Sequence, residues 1–371
     1  MDWQLIESDD GLREVVAQAA RSGAVAIDTE FMRRNTFYPQ VALVQLCFDE
    51  TAWLIDPLAL DDPSPLADLL VDPGVIKVLH SASEDLEVFQ QWLGVLPQPL
   101  FDTQRAAALL DAGFGLSYRA LVLAVCGVDL PKGETRSDWL QRPLTDSQCE
   151  YAAQDVTWLL QVWRKLDEQC EAQGKRDWVL ADGRDALGTL ATNAGGYHNR
   201  IKTAWKLNPR QLGILIAVCD WRERIARERD KPRSWIIDDK ACLQLAQADP
   251  QNWNQLKSQV DLPAPAQRRY GDDLLALLAA QRETPDAELP PRLPQPLDAP
   301  QRQLLKNLKS SAREIAAGAG VAPEVLLPSK DYEILIREAG GAQVNTPLHW
   351  EGWRKDLVLS PLRRLLIEEA P

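Results

Sequence analysis

Residues 24–31 ("AVAIDTEF") carry two carboxylates that are spaced for shared chemistry. The first four residues are apolar and typical of a buried β-strand, and Asp28 and Glu30 follow with one residue between them. Residues two apart on a strand point to the same face, so both acids project into the same space. Two like charges this close disfavour each other unless a cation lies between them. The pair therefore indicates a metal site whose other ligands come from elsewhere in the chain.

A third acid, Asp85, lies where a helix is predicted to begin. The segment "SASEDLEVFQQWLG" (81–94) has Ser81 as its predicted N-cap, Glu84 as the capping-box partner and Gly94 as the stop signal. Asp85 then falls in the first helical turn. An acid there also favours the helix dipole, so this residue alone does not identify a metal ligand.

The fourth acid, Asp155, lies on a long helix predicted for residues 145–174. Thr145 is the predicted N-cap and Gln148 occupies the capping-box position. Tyr151 precedes Asp155 by four residues, and residues four apart share a helix face. Four carboxylates converging from different elements are what phosphoryl chemistry with divalent ions requires.

The first part of the chain must position these acids. Short apolar runs predict strands at 41–48, 52–57 and 74–80. Helices are predicted at 101–110 and 116–127. Strands followed by helices on one segment indicate an α/β or α+β layer.

From about residue 206 the pattern becomes helical only. Helices are predicted at 208–230, 238–250 and 270–283. The stretch 284–300 contains six prolines in seventeen residues and is typical of an extended linker. A further helical unit follows it. We therefore predict three domains, at 1–205, 206–290 and 291–371.

The composition is that of an ordinary globular protein, with 45% hydrophobic and 26% charged residues. The net charge is −13, but residues 1–205 hold 17 basic against 31 acidic residues while the remainder is balanced. Because polyanion binding depends on local basic patches and bound cations, this acidity does not exclude a nucleic-acid partner. The six cysteines lack zinc-site or redox-pair spacing, which favours reduced thiols in a cytoplasmic protein.

Two classes of function find no support in the sequence. No apolar run approaches the roughly 18 residues of a membrane span, and the acidic first residues do not form a secretory signal. No Gly-x-x-x-x-Gly-Lys-Ser/Thr loop occurs, so we expect no NTP-driven motor.

The order Asp-x-Glu, His-x-x-x-x-Asp and Tyr-x-x-x-Asp resembles the motifs of the DEDDy family of 3′–5′ exonucleases. The segment "LPKGETRSDWLQRPL" (130–144) is also similar to members of that family, and the two helical units resemble HRDC domains, which bind nucleic acids. The resemblance implies a ribonuclease H-like, DnaQ-like exonuclease domain with a mixed central sheet flanked by helices. Two helical HRDC bundles would follow it.

The same resemblance implies the cofactors and the roles of the acids. Two divalent ions, Mg²⁺ or Mn²⁺, would be bridged by Asp28. Glu30 and Asp155 would hold the ion that carries the attacking water, and Asp85 would hold the other. Tyr151 would orient that water or help to remove its proton.

Further substrate contacts are expected beside the acids. The 3′-terminal nucleotide would lie near Thr29 and Phe31, with the Phe31 ring against the base or sugar. His80 would contact the phosphate or ribose. The alternatives are an ordinary core phenylalanine and a histidine whose ring nitrogens are satisfied inside the protein.

The stretch 221–235 ("WRERIARERDKPRSW") permits two interpretations. In one, Arg229, Lys231 and Arg233 lie past a helix end and are free to bind RNA phosphates. In the other, the stretch is a solvated helix face held by ion pairs between residues four apart. The pairs are Glu223–Arg227 and Arg224–Glu228.

The resemblance implies hydrolysis of RNA from a free 3′ end by a monomeric enzyme, with transfer-RNA precursors and other small structured RNAs as substrates. The same chemistry on DNA is an alternative, because the motifs do not read the 2′-hydroxyl. A non-catalytic RNA-binding protein is a second alternative, which the complete set of acids disfavours.

Overall fold

The computed structural model describes residues 2–131, 133, 137–192 and 195–368. The chain forms two compact units. The first contains Met1–Met32, Pro39–Thr192 and Leu297–Pro371, and the second contains Arg33–Tyr38 and Asn193–Pro296. Part of the segment 130–144, which the sequence analysis compared with the DEDDy family, lies outside the described residues.

A mixed sheet forms the centre of the first unit. Its six strands within the described residues are β1 (Trp3–Ile6), β2 (Ala24–Met32), β3 (Gln40–Cys47), β4 (Ala52–Ile55), β5 (Ile76–Leu79) and β6 (Leu100–Asp102). Their order across the sheet is β1-β4-β3-β2-β5-β6. β3 runs antiparallel to β2 and β4, and the other neighbouring strands are parallel. The predicted mixed central sheet is therefore confirmed.

Helices cover both faces of this sheet. They are α1 (Asp9–Ala19), α2 (Ser64–Val71), α3 (Ser83–Trp92), α4 (Thr103–Leu109), α5 (Tyr118–Cys126), α6 (Asp146–Ala172) and α7 (Arg176–Thr192). The predicted capping box of α6 is confirmed: Thr145 accepts from the Gln148 N–H, and the Gln148 side chain accepts from the Thr145 N–H. Strand β2 alternates between two cores. Val25 and Ile27 pack with α1, α2 and α3, whereas Ala24 and Ala26 pack with α4, α5 and α6.

A β-bulge interrupts the pairing of β2 with β3 at the acidic end of β2. Glu30 pairs with Leu43 but Phe31 pairs with Val41, so Ala42 is the additional residue. Arg142 donates to the Ala42 carbonyl at 2.6 Å and forms a bidentate ion pair with the buried Asp56, at 2.5 and 2.8 Å. The segment before α6 is thereby fixed to the bulge.

The start of α3 differs from its prediction. Ser81 is not the N-cap: its φ is +57°, and the helix begins after Ala82 without a side-chain cap. The Asp102 carboxylate at the end of β6 accepts instead from the N–H groups of Ser81 and Ala82, both at 3.1 Å. A cap supplied from a neighbouring strand replaces the predicted local one.

The second unit is helical. Its helices are α8 (Pro209–Glu228), α9 (Arg233–Ile236), α10 (Asp239–Ala248), α11 (Trp253–Gln259) and α12 (Ala264–Arg282). Residues 33–38 join its core: Asp230 accepts from the N–H groups of Phe37 and Tyr38, at 2.8 and 3.0 Å. Arg227 lies over the Phe37 ring, 4.8 Å from its centroid.

The last helices are α13 (Ala299–Ala319), α14 (Pro323–Leu326), α15 (Ser329–Ala339) and α16 (Ser360–Glu368), and they pack within the first unit. Asp182 on α7 anchors them. This buried carboxylate receives two hydrogen bonds from Arg354, at 2.6 and 2.9 Å, and two from Arg105, at 2.5 and 3.1 Å. Burial raises the pKa of Asp182, but Arg354 and Arg105 outweigh that effect and leave the pKa below its ordinary value. Among the described residues, no helix combines the length and apolarity needed to cross a membrane.

Candidate metal centre and active site

Three of the four predicted acids converge. Asp28, Glu30 and Asp155 each offer a carboxylate oxygen within 4.8 Å of the others. The alternation of β2 explains this arrangement, because Ala24, Ala26, Asp28 and Glu30 share the face that packs against α6. Alanines at the first two positions allow α6 to approach closely, and α6 carries Asp155.

The carboxylates of this cluster are electrostatically unfavourable in their charged forms. Burial, followed by the charge of Asp155, raises the pKa of Asp28 to about 8. Burial, followed by the charge of Asp28, raises the pKa of Glu30 to about 10. Burial also raises the pKa of Asp155 to about 7, although a hydrogen bond with the Tyr151 hydroxyl opposes the change. Bound divalent cations would offset this repulsion, so the donor set fits a metal centre.

Asp85 is not one of the three acids within 4.8 Å of one another, but its charge raises the pKa of Glu30. The residue on the opposite face of β2, Thr29, reaches it: the Thr29 hydroxyl donates to Asp85 Oδ1 at 2.5 Å. Both side chains are buried. Burial, followed by the charge of Asp28, raises the pKa of Asp85 well above its ordinary range. Thr29, predicted as a substrate contact, is thus also a positioning group for the fourth acid.

Asp102 is a positioning residue that the sequence analysis missed. Besides the start of α3, its carboxylate accepts from the N–H groups of Gln104 at 2.8 Å and Arg105 at 3.4 Å, the first turn of α4. One acid therefore fixes the turn that leads to Asp85. Its place immediately before a helix was the available signal, but the link to the start of α3 depends on the pairing of β5 with β6.

Tyr151 occupies its predicted place beside Asp155. Burial, followed by the charge of Asp155, raises the pKa of Tyr151, so its hydroxyl stays protonated. The backbone of Gly133 lies against the ring: a Cβ at this position would be 1.8 Å from Tyr151 Cε2. The Trp139 ring lies 6.1 Å away, centroid to centroid. Residue 133 therefore has to be glycine for the ring to stay where it is.

Tyr118 supports Asp155 from the backbone side and was also missed. Its hydroxyl lies 2.5 Å from the Asp155 carbonyl and 3.0 Å from the Gln154 carbonyl. This contact fixes the helix turn that presents Asp155. The sequence offered no signal for it beyond a tyrosine in the first turn of α5.

His80 and Phe31, the other substrate contacts predicted near the acids, differ in their surroundings. His80 has both ring nitrogens engaged, Nδ1 with the Thr103 hydroxyl at 3.0 Å and Nε2 with the Leu116 carbonyl at 3.1 Å. Burial lowers the pKa of His80. Both ring nitrogens are thus satisfied inside the protein, and the contact of His80 with a phosphate or ribose stays a prediction. Phe31 is half-buried at the bulge.

The three cations of the first interpretation, in the second unit, all have internal partners in the structure, and their role as phosphate contacts stays a prediction. Arg233 forms an ion pair with Glu223, Arg229 donates to the Tyr270 hydroxyl at 3.2 Å, and Lys231 donates to the Asn35 carbonyl at 3.3 Å. They do lie past the end of α8, as predicted. Both i,i+4 ion pairs predicted within α8 are confirmed.

Comparison with known proteins agrees with this architecture. A family model for 3′–5′ exonucleases matches residues 3–171, and a model for the HRDC domain matches residues 211–278. The fold and the acidic site thus define a 3′–5′ exonuclease followed by an HRDC module. One of the two expected HRDC domains is confirmed.

Relatives that align over nearly the whole chain identify the family within this class of exonucleases. The chain is 41% identical to ribonuclease D of Pseudomonas paraeruginosa, with 95% of this chain and 94% of the relative covered. It is 36% identical to ribonuclease D of Escherichia coli K12 over 99% of both chains. The crystal structure of the E. coli enzyme, an exoribonuclease involved in structured RNA processing, superposes over 100% of both chains with a TM-score of 0.92. The chain belongs to the ribonuclease D family and is a 3′–5′ exoribonuclease.

Proposed function

We propose that the protein removes nucleotides one at a time from RNA 3′ ends and releases nucleoside 5′-monophosphates. Transfer-RNA precursors and other small structured RNAs are the proposed substrates. The observation that carries the proposal is the convergence of Asp28, Glu30 and Asp155 within 4.8 Å, with Tyr151 beside them.

Two divalent cations, Mg²⁺ or Mn²⁺, suit this set of hard oxygen donors. Asp28, Glu30 and Asp155 would hold them, with Asp85 as the fourth acid. Such cations lower the pKa of a water molecule and neutralise charge on the scissile phosphate.

The chain's own residues orient the reactants. The protonated Tyr151 hydroxyl would orient the attacking water, and Gly133 and Trp139 limit the movement of its ring. Thr29 fixes Asp85. Phe31 and His80 are proposed to contact the terminal nucleotide, for which His80 would exchange one of its internal hydrogen bonds.

The HRDC module is proposed to hold the body of the RNA, which raises the local concentration of 3′ ends at the catalytic unit. Arg229, Lys231 and Arg233 are candidates for phosphate contacts. Each of these side chains would bind a phosphate while keeping its internal contact, or after exchanging that contact for the phosphate.

The last helices support the proposal of a second HRDC-like bundle at 291–371. A long helix of 21 residues, a single turn of four and a helix of 11 follow one another in α13, α14 and α15. The matched HRDC segment has the same succession in α8, α9 and α10, with 20, 4 and 10 residues. The domain boundaries at 205 and 290 remain part of this proposal.

The test uses matched RNA and DNA strands with free 3′ ends, incubated with Mg²⁺, Mn²⁺ or EDTA. The wild type and Asp28→Asn, which removes one charge while keeping the side-chain shape, are compared. We expect RNA to shorten from its 3′ end only with a divalent ion and only with the wild type, and chromatography to identify nucleoside 5′-monophosphates.

Three outcomes would contradict the proposal. RNA binding without metal-dependent shortening would show a non-catalytic RNA-binding protein. DNA shortened as fast as RNA would remove the preference for RNA. Full activity of Asp28→Asn would place the chemistry elsewhere.

A further inference from the structure

Trp235 in the HRDC module is unusually exposed for a tryptophan. Its exposed fraction is 58%, although large aromatic side chains are mostly buried. It lies on the single turn α9, whose last residue, Ile236, is only 3% exposed and holds the turn in the core. The backbone N–H of Trp235 also donates to the Pro232 carbonyl at 2.8 Å. The backbone is therefore fixed while the indole is left open to solvent.

Two clefts adjoin at this turn. The larger, about 530 Å³, is lined by residues that include Tyr197, Arg200 and Arg233. The smaller, about 200 Å³, is lined by residues that include Trp235 and Arg269. Ser234 and Asp238 line both clefts. The indole thus stands beside a groove that continues across the turn.

Most of the charges in this groove are already paired inside the protein. The ion pairs are Arg222–Asp239 at 2.8 Å, Lys240–Asp261 at 2.6 Å and Arg233–Glu223. Asp238 caps α10 by accepting from the Ala241 N–H at 2.7 Å.

Two exposed guanidinium groups remain, one in each cleft. The side chains of Arg200 and Arg269 have no hydrogen-bond or ion-pair partner within the described residues. The groove therefore combines an exposed aromatic surface with an unpaired positive charge on either side of the turn.

We propose that Trp235 is a stacking platform for a base of single-stranded RNA, with Arg200 and Arg269 contacting the flanking phosphates. Every base has a π-face, and an aromatic platform with neighbouring cations is the general way in which proteins hold single strands without reading their sequence. The inference rests on the proposed function, because it assigns the site at which the HRDC module holds RNA.

The test measures binding of a fluorescent ten-nucleotide RNA to the full-length protein in EDTA, which prevents hydrolysis. Trp235→Ala is expected to weaken binding about 5- to 150-fold, the loss of one base–aromatic stack. Trp235→Phe is expected to retain most of the affinity. An abasic strand of the same length is expected to bind wild type and Trp235→Ala equally, since it has no base to stack.

The two arginines are tested through the salt dependence of binding. Arg200→Ala and Arg269→Ala are each expected to reduce the slope of log affinity against log salt by about 0.7, the value for one phosphate contact on a single strand. Arg224→Ala is the matched control, because Arg224 lies in the same module but is paired with Glu228 at 2.8 Å. Its slope is expected to equal that of the wild type.

Unchanged binding of the normal strand by Trp235→Ala would overturn the proposal and leave the groove for a different class of partner. An equal loss on normal and abasic strands would overturn the stacking role. Cleavage of a short RNA in Mg²⁺ is measured in parallel. If the wild type does not cleave it, the proposed function has failed; if the wild type cleaves it while Trp235→Ala binds normally, only the stacking platform has failed.

Discussion

The hydroxyl of Thr29 donates a hydrogen bond to Oδ1 of Asp85 at 2.5 Å and thereby joins strand β2 to helix α3 at the acidic site. Residues on both faces of β2 thus contribute to the acidic site. Asp28 and Glu30 project towards α6, while Thr29 fixes the acid that arrives from the other side.

Thr29→Val removes this hydrogen bond and leaves the volume nearly unchanged. Because groups that orient a metal ligand typically contribute 10- to 100-fold, we expect kcat to fall by about that factor. Thr29→Ser is expected to keep most of the activity. Initial rates on a short RNA separate kcat from KM. A rise in KM at constant kcat would instead assign Thr29 to substrate binding alone.

Gly133→Ala is expected to displace the Tyr151 ring, since the new Cβ would overlap Cε2. Displacement of a catalytic group by about 1 Å can cost around 100-fold, so we expect a loss of that size in kcat. Gly318→Ala is the matched control, because a Cβ there meets nothing within 4 Å. Tyr151→Phe combined with Gly133→Ala is expected to be no worse than the stronger single variant. Wild-type activity of Gly133→Ala would show that the segment moves away from the ring during turnover.

The acidic cluster predicts how the stability of the metal-free protein depends on pH. The pKa of Asp155 is about 7 and that of Asp28 about 8, both above the ordinary value near 4, so between pH 4 and 8 the folded protein binds more protons than the unfolded chain. Stability in EDTA is therefore expected to fall as pH rises through this interval. Asp155→Asn should raise the melting temperature at pH 8 and leave it unchanged at pH 4. Mg²⁺ should stabilise the wild type more at pH 8 than at pH 5.

These melting temperatures are measured by circular dichroism with and without Mg²⁺. If Asp155→Asn has the same effect at both pH values, ionisation of the buried Asp155 does not control the stability of the metal-free protein.

Arg354→Ala leaves Asp182 buried without its main partner. Breaking a buried ion pair typically costs about 3–5 kcal/mol, and we expect a loss of that order in the free energy of unfolding. Arg354→Met combined with Asp182→Leu removes both charges and is expected to recover much of it. Arg119→Ala breaks an exposed pair with Asp129 and should have little effect. Urea denaturation of the wild type and these three variants measures the differences. Trp353 also donates its indole N–H to Asp182 at 3.2 Å. A small effect of Arg354→Ala would therefore mean that Arg105 and Trp353 suffice to hold Asp182.

Features encoded locally were predictable from the sequence. The capping box of α6 depends on residues three apart, and the shared face of Tyr151 and Asp155 follows from helix geometry. The two acids of β2 likewise follow from the alternation of a strand. Each of these predictions needed only the spacing of neighbouring residues.

Contacts between distant segments were not predictable. Asp102 caps α3 across the sheet, which no local pattern distinguishes from a cap supplied by Ser81. The internal partners of Lys231 include Asn35, almost two hundred residues away. The strand β6 is three residues long, too short for a periodic signal, and α7 was not predicted although it carries Asp182.

The order of segments in the first unit has a consequence for how this protein can change over evolution. The chain leaves the catalytic unit after Thr192 and returns to it at Leu297, so the HRDC module is an insertion and not a tail. A premature stop codon within the module would also remove Arg354, and the buried Asp182 carboxylate would lose its two hydrogen bonds from that residue. We therefore expect truncation to destabilise the catalytic unit, whereas an internal deletion that rejoins its two segments would keep the contact between Arg354 and Asp182.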